Sequence, residues 1–284
     1  MIRLLAVDID GTLLNSQGRV PDAHRDALAE VVRRGVQVAL VTGRSFHFTS
    51  QVSTALPFPL TSIVNNGAVV KDAAGATIVR YVLPRDTALD ILERTTAYED
   101  CVGLVFDRPP GPDEHRQIVC DRMDWGHPDR SGYYARNRTF ITTVSPLRLA
   151  LTDDPIQVMF NGSVERMRGL ARHLRSFPST ARFSVAVTEY EHRDFSLVDI
   201  NGAGCSKGAT LGRWCQRLGI APAEVMAVGD NLNDLEMLQF AGTPVIMGNA
   251  VPALAGRGFH QTESHDADGL AHAIRRFVLE PDIS

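Results

Sequence analysis

Residues 1–14, MIRLLAVDIDGTLL, decide the fold of this chain. The apolar run Leu4–Val7 has the length and composition of a buried strand, and two acids, Asp8 and Asp10, follow it directly. In an open α/β sheet, ligands bind outside the carboxyl ends of the parallel strands. The stretch therefore predicts a core strand that carries carboxylates to a ligand site.

The same pattern repeats further along the chain. PDAHRDALAEVVRRG (21–35) indicates a helix that has Pro21 near its start and Gly35 at its end. VQVALVTGR (36–44) is again an apolar run that ends in polar residues, and SIVNNGAVV (62–70) is a third such strand. Alternating strands and helices predict an α/β fold with a doubly wound, Rossmann-like parallel sheet.

The alternation of strand-like and helix-like segments changes at residue 84. Residues 84–191 contain helix-like segments, short strands and a loop rich in Pro, Gly and charge, which indicates an inserted α+β domain. The strand-helix alternation resumes with FSLVDING (195–202), which we expect to rejoin the first sheet. The sequence therefore predicts a core formed by residues 1–83 and 192–284, with residues 84–191 inserted into it.

Composition excludes several classes of protein. The 284 residues carry a formal net charge of −4 without a long basic run, so we expect no nucleic-acid partner. No apolar run reaches the ~20 residues that span a bilayer, and acids interrupt the first apolar run too early for a signal peptide. We therefore expect a cytoplasmic protein without a membrane partner, and the oligomeric state stays open. The cysteines lack metal or redox spacing and are predicted to be free, buried thiols: Cys101, Cys120, Cys205 and Cys215.

Polar residues follow four of the apolar strands, and a late helix begins with the cation Lys207. The four sets are Asp8 and Asp10; Thr42, Gly43 and Arg44; Asn65, Asn66 and Gly67; and Asp230, Asn231, Asn233 and Asp234. Carboxylates gathered at one sheet edge would repel each other, and an all-oxygen set of Asp and Asn suits Mg²⁺. We therefore expect a Mg²⁺ site, with Thr42, Lys207 and backbone N–H groups forming a cradle for a phosphoryl group.

The two acids that follow the first strand suggest the chemistry. An aspartate can attack phosphorus and form an aspartyl-phosphate, and a second acid can protonate the leaving oxygen and later activate water. Asp8 would be the nucleophile and Asp10 the general acid/base. Because Ile9 points to the opposite side of the strand, both acids can share one site only if the chain bends, and Gly11 gives the freedom for that bend.

These residues fall into four motifs: DIDGT (8–12), VTGR (41–44), CSKG (205–208) and GDNLND (229–234). In order and spacing, the motifs resemble those of the haloacid dehalogenase (HAD) phosphohydrolase superfamily. NNGAVV (65–70) and MGNA (247–250) are similar to segments of its Cof-type branch, which has a large type IIB cap. The resemblance implies a HAD-like catalytic core and a cap at 84–191 that sets substrate specificity.

The resemblance also implies a role for each matching residue. The implied metal set is Asp8, Asp10 through its backbone carbonyl, Asp230, and Asp234, which holds metal waters or the lysine. The implied catalytic set is Asp8 as nucleophile, Asp10 as acid/base, and Thr42 and Lys207 on the phosphoryl group. Substrate binding is assigned to Thr42, Gly43, Arg44, Asn66, Lys207 and Asn233, and Asn249 has a supporting role.

The implied activity is that of a Mg²⁺-dependent phosphatase acting on a small phosphorylated metabolite, either a sugar phosphate or a phosphomonoester resembling a cofactor or nucleotide. A phosphomutase or phosphotransferase of the same fold is an alternative, and a non-catalytic regulatory protein that binds a phosphorylated ligand is another. Within the insertion, Trp125, Tyr133 and Tyr134 either line a substrate pocket or fill the domain core. We expect His192 to be a surface or hinge residue at the junction of the two domains.

Overall fold

The computed structural model describes residues 1–109, 111 and 113–280. Its strands are β1 Leu4–Val7, β2 Gln37–Val41, β3 Thr61–Val64, β4 Val69–Lys71, β5 Thr77–Arg80, β6 Val102–Val105, β7 Ile118–Cys120, β8 Ile141–Thr143, β9 Gln157–Gly162, β10 Phe183–Tyr190, β11 Phe195–Gly202, β12 Val225–Gly229, β13 Thr243–Ile246 and β14 His260–Gln261. Its α-helices are α1 Asp22–Arg33, α2 Phe46–Ser53, α3 Arg85–Arg94, α4 Pro128–Asn137, α5 Val164–Arg175, α6 Lys207–Leu218, α7 Leu235–Phe240 and α8 Gly269–Ile274. The chain divides into two compact units, a core unit of residues 1–79 with the residues from 206 onward, and an insertion unit of residues 80–205.

The core unit contains an eight-stranded sheet in the order β14-β13-β12-β1-β2-β3-β4-β5. The strands from β14 to β3 are parallel to one another, and β4 is antiparallel to β3. β1 lies between β2 and β12, where the order of the strands along the chain reverses. This reversal is the position at which doubly wound sheets bind ligands, which confirms the predicted fold class.

Both faces of β1 are covered, as its continuous apolar run predicts. Leu5 and Val7 pack in a cluster with residues of α1 and α8, whereas Leu4 and Ala6 pack in a second cluster with residues of α6. All four side chains are buried because successive strand residues point to opposite faces of the sheet. This double coverage holds the carboxyl end of β1, and therefore the acids after it, in a fixed place.

The insertion unit is an α+β domain, as predicted. Its six-stranded sheet has the order β10-β11-β9-β6-β7-β8 and is antiparallel except for the pairing of β7 with β8. Helices α3 and α5 contribute Ala88, Ile91, Met167 and Leu170 to its apolar core. Trp125 stacks on Tyr134 with ring centroids 5.1 Å apart, and the Tyr134 side chain is exposed.

The prediction that FSLVDING rejoins the first sheet is wrong. This segment is β11, which pairs antiparallel with β10 along its whole length and with β9 on its other side. A tight turn connects β10 to β11, with Asp194 in the left-handed region at φ 45°. Because this connection is short, β11 pairs with the adjacent strand β10 and not with a strand of the core sheet. His192 lies in this hairpin turn and is a surface residue, as predicted, but it does not lie at the border between the units.

The unit borders fall after residues 79 and 205, whereas the predicted borders fall after residues 83 and 191. The assignment of catalysis to one unit and specificity to the other stays a prediction. All four cysteines are buried and form no disulfide, as predicted. Among the described residues, no helix combines the length and the apolar character needed to cross a membrane.

Candidate active site at the carboxyl end of the core sheet

The chain turns sharply after β1. The backbone N–H of Leu13 donates to the carbonyl of Asp8 at 3.2 Å, and Gly11 adopts a left-handed conformation with φ 76°. A Cβ atom at Gly11 would lie 2.2 Å from Oδ2 of Asp230, so this close approach requires glycine. Asn249 supports the turn by donating its side-chain N–H to the carbonyl of Gly11 at 2.9 Å. The bend that the sequence predicts at Gly11 is therefore present, and it also makes room for Asp230.

Lys207 joins the acids of two different strand ends. Its Nζ donates to Oδ1 of Asp8 and to Oδ1 of Asp234, each at 2.6 Å, and the lysine is 1% exposed. The lysine begins α6, whose N-cap residue Ser206 accepts a hydrogen bond from the N–H of Ala209 at 3.0 Å. The helix start therefore places a cation under the carboxyl ends of β1 and β12.

Asp230 and Asp234 are organised by the turn after β12. The second oxygen of Asp234, Oδ2, accepts hydrogen bonds from the backbone N–H groups of Asp230 and Asn231, each at 3.0 Å. Because its two oxygens accept from Lys207 and from these two amides, Asp234 is held rigidly. Asn231 caps the turn that follows, because its side-chain oxygen accepts a hydrogen bond from the N–H of Leu232 at 2.9 Å.

Charge is concentrated in this pocket. Burial raises the pKa of Asp8 to about 7; Lys207 opposes this shift, and Asp234 and Asp10 add to it. Burial also raises the pKa of Asp230 well above its ordinary value, with further contributions from Asp8 and Asp234. For Lys207, burial alone would lower the pKa, but attraction to Asp234 and Asp8 outweighs it and the pKa is raised. The single lysine therefore does not neutralise the carboxylates around it.

The donor set fits Mg²⁺. Asp8, Asp230 and Asp234 each offer a carboxylate oxygen, and these oxygens lie within 4.8 Å of one another. All three residues are buried, and hard oxygen ligands are what Mg²⁺ prefers. A divalent cation would also compensate the negative charge that Lys207 leaves. The Asp10 carboxylate does not belong to this group; the family resemblance implies that Asp10 contacts the metal only through its backbone carbonyl.

A second group of predicted residues lies at the ends of β2 and β3. Thr42 is buried at the end of β2, and its hydroxyl accepts from the N–H of Arg44 at 3.1 Å. Asn66 is buried with φ 53°, and its side-chain oxygen accepts from Asn233 at 3.0 Å. A Cβ atom at Gly43 would lie 3.2 Å from the same Asn66 oxygen. The structure therefore brings Gly43, Asn66 and Asn233 together beside Thr42.

Arg44 and Asp10 form a bidentate ion pair. Nε of Arg44 donates to Oδ2 of Asp10 at 2.7 Å, and an Nη atom donates to Oδ1 at 2.6 Å. Sequence reasoning named both residues but missed their contact, because 34 residues separate them and neither motif indicates the other. Their positions after adjacent parallel strands, β1 and β2, were the one available sign of proximity.

Comparison with known proteins indicates the same family as the four sequence motifs. The model of the haloacid dehalogenase-like hydrolase family matches residues 5–274. The HMP-PP phosphatase of Serratia proteamaculans is 32% identical over 283 residues, which cover 99% of this chain and 97% of that protein. The pyridoxal phosphate phosphatase YbhA of Escherichia coli is 29% identical over 284 residues, covering 98% and 99% of the two chains. A solved haloacid dehalogenase-like hydrolase from B. subtilis shares the fold, with a TM-score of 0.80 at 23% identity over 98% of this chain and 100% of that one.

Proposed function

The chain belongs to the haloacid dehalogenase-like hydrolases, and from this premise we propose that it is a Mg²⁺-dependent phosphatase of small phosphorylated metabolites. The observation that carries the proposal is the position of Asp8. Its carboxylate is buried at the switch point of the sheet, Lys207 binds one of its oxygens, and Asp10 follows two residues later. Such an arrangement suits a nucleophilic carboxylate with a neighbouring acid/base.

The proposed reaction has two halves. Asp8 attacks phosphorus, the bond from phosphorus to the ester oxygen breaks, and Asp10 gives a proton to the departing alcohol. Water then attacks the aspartyl-phosphate, Asp10 takes its proton, and the Asp8–phosphorus bond breaks to release inorganic phosphate. In both halves, the hydroxyl of Thr42 and the ammonium group of Lys207 donate hydrogen bonds to the phosphoryl oxygens. Both groups are already in position before the reaction begins.

Asp8, Asp230 and the backbone carbonyl of Asp10 would hold the metal ion. When bound, Mg²⁺ supplies positive charge that screens the phosphoryl group and polarises its oxygens. Asp234 holds Lys207 in place, since its oxygens already accept from the lysine and from two backbone amides. Mg²⁺ takes only one or two protein carboxylates, which leaves Asp234 free for this orienting role.

The proposed substrate is a small phosphomonoester rather than a macromolecule. Two relatives that align over nearly the whole chain are named as phosphatases of HMP-PP and of pyridoxal phosphate. We therefore extend the proposal to phosphorylated cofactors and their precursors, with sugar phosphates as the second class. We propose that residues of the insertion unit determine which of these substrates the protein accepts.

The test is a phosphate-release assay on metal-stripped protein. The panel contains p-nitrophenyl phosphate, pyridoxal phosphate, a hexose phosphate and a nucleotide, each with and without added Mg²⁺. We expect turnover that requires Mg²⁺, that excess Ca²⁺ suppresses, and that an identically purified Asp8→Asn variant lacks. Full activity in the presence of a chelator would exclude the proposed Mg²⁺ dependence. A failure to release phosphate from any of the esters would exclude the proposed phosphatase activity.

A further inference from the structure

Both carboxylate oxygens of Asp10 accept hydrogen bonds from the same residue, Arg44. The guanidinium of Arg44 donates from Nε and from Nη at 2.7 and 2.6 Å, so the fork of the arginine matches the plane of the carboxylate. The Asp10 side chain is 36% exposed and the Arg44 side chain 26%. An acid this exposed would otherwise rotate among several orientations.

Arg44 is itself held in place. Its backbone N–H donates to the hydroxyl of Thr42 at 3.1 Å, and its carbonyl accepts from the N–H of Asn65 at 2.9 Å. Its guanidinium carbon lies 5.9 Å from the centre of the Phe48 ring on the first turn of α2. The strand end of β2 and the start of α2 therefore both contribute to aiming the guanidinium.

We propose that Arg44 is a positioning residue for Asp10, and not the substrate ligand that the sequence suggests. This inference rests on the proposed phosphatase function, in which Asp10 moves the protons. A general acid/base must lie within hydrogen-bond reach of the atom it serves, and a displacement of about 1 Å can cost about a hundredfold in rate. The arginine fork fixes both the place and the plane of the carboxylate.

Two consequences separate this role from substrate binding. If Arg44 acts through Asp10, its loss slows the proton-transfer steps and leaves the binding of phosphate unchanged. The slowed step with a good leaving group is hydrolysis of the aspartyl-phosphate, because departure of p-nitrophenolate needs little protonation. If Arg44 instead contacted substrate, its loss would weaken the binding of ester and of inorganic phosphate together.

The experiment compares Arg44→Ala, Arg44→Lys, Asp10→Asn and the Arg44→Ala/Asp10→Asn double variant in the full-length protein with Mg²⁺. The measurements are kcat and KM for p-nitrophenyl phosphate, the inhibition constant of inorganic phosphate, and phospho-enzyme by mass spectrometry. Arg166→Ala is the matched control, because Arg166 makes an equally bidentate pair with Asp100 at 2.8 and 2.6 Å and lies 5.2 Å from the Tyr98 ring. We expect this control to retain wild-type kcat.

We expect Arg44→Ala to lower kcat by about 10–100-fold, with KM falling alongside kcat because hydrolysis of the intermediate is the slowed step, and with the phosphate inhibition constant within about threefold of wild type. Aspartyl-phosphate should accumulate, guanidinium ion should restore part of the rate, and Arg44→Ala should change little in the Asp10→Asn background. Arg44→Lys keeps the charge without the fork and should stay impaired, which preserves the test if the alanine variant fails to fold.

A rise in KM and in the phosphate inhibition constant with kcat unchanged would overturn the inference. So would a full additional loss when Arg44→Ala is added to Asp10→Asn, since the two residues would then act independently. Wild-type protein that releases no phosphate from any ester would refute the phosphatase itself. An active wild type with either of the first two results would refute only the role of Arg44.

Discussion

Lys207 Nζ lies 2.6 Å from Oδ1 of Asp8, although 199 residues separate the two in the chain. The same nitrogen lies 2.6 Å from Oδ1 of Asp234, so one buried cation bridges two buried carboxylates. Removing one partner of a buried ion pair leaves an uncompensated charge in a medium that solvates it poorly. The lysine is therefore expected to matter both for stability and for the reaction.

Replacing Lys207 with Met keeps an unbranched side chain that is one atom shorter, and removes the charge. We expect the free energy of unfolding without Mg²⁺ to fall by about 3–5 kcal/mol, and turnover to fall by about 10²–10³-fold. Urea denaturation and the phosphatase assay measure the two effects. Lys71→Met is the control, since Lys71 is a second buried lysine of the core unit, at the end of β4, where it donates to Thr77 at 2.6 Å. Lost turnover in the control as well would assign the effect to the loss of a buried charge and not to the contacts of Lys207 with Asp8 and Asp234.

Asp8→Asn and Asp10→Asn are expected to fail differently. The first removes the attacking carboxylate, so we expect neither turnover nor phospho-enzyme. The second removes the proton carrier and should lower turnover by roughly 10²–10⁴-fold. With p-nitrophenyl phosphate, hydrolysis of the intermediate then becomes limiting, and mass spectrometry should find phosphate on Asp8 in Asp10→Asn. Phosphate attached to Asp10, or turnover by Asp8→Asn, would reverse the assigned roles.

Gly11→Ala tests the close approach of the first turn to Asp230. Gly11 and Gly18 both have positive φ, 76° and 71°, so alanine at either position costs about 1–2 kcal/mol of backbone strain. Only at Gly11 would the added Cβ meet Asp230, at 2.2 Å from Oδ2, whereas Gly18 has nothing within 4 Å.

We therefore expect Gly11→Ala to lose about a hundredfold in turnover, because Asp230 must move, and Gly18→Ala to keep its activity. Thermal unfolding of Gly18→Ala measures the backbone strain alone, and any larger loss in Gly11→Ala measures the added cost of moving Asp230. Equal activity in both variants would show that the position of Asp230 is not critical for the reaction.

The stability of the core unit should depend on pH through His24. This histidine is fully buried, and its Nδ1 lies 3.0 Å from the carbonyl of Leu13, which assigns the N–H to Nδ1 in the neutral ring. Burial lowers the pKa of His24; the hydrogen bond to Leu13 and the charge of Asp268 oppose this shift, and His265 and His272 add to it. The folded state therefore disfavours the protonated ring.

Above the unfolded pKa of about 6.5, His24 is neutral in both states and its contribution to stability is fully present. As the pH falls below that value, His24 binds a proton in the unfolded chain but not in the folded chain. The free energy of unfolding therefore decreases by up to about 1.4 kcal/mol per pH unit. Urea denaturation at about pH 7.5 and about pH 5.5 should show a smaller loss for His24→Gln than for wild type. Equal losses would assign the acid sensitivity to other groups.

Local pattern predicted much of this protein. The apolar run of β1 followed by Asp8 indicates a covered parallel strand with acids at its carboxyl end, because burial on both faces requires such a run. Gly11 marks the bend after Asp10, since glycine alone enters the left-handed region without a steric cost. The absence of metal or redox spacing predicted that the cysteines are free. In these cases the physical cause lies within a few residues of the feature.

Other features depend on contacts between distant segments, and only the tertiary structure decided them. FSLVDING is equally suited to either sheet, and the hairpin with β10 places it in the insertion unit. The register of β1 and β2 brings the guanidinium of Arg44 to the carboxylate of Asp10, a contact that neither motif indicates. Strand propensity and side-chain alternation are local quantities, whereas the choice of partner strand is set by the free energy of the whole packed arrangement. The sequence by itself therefore determined which residues end each strand, and the fold determined which of them touch.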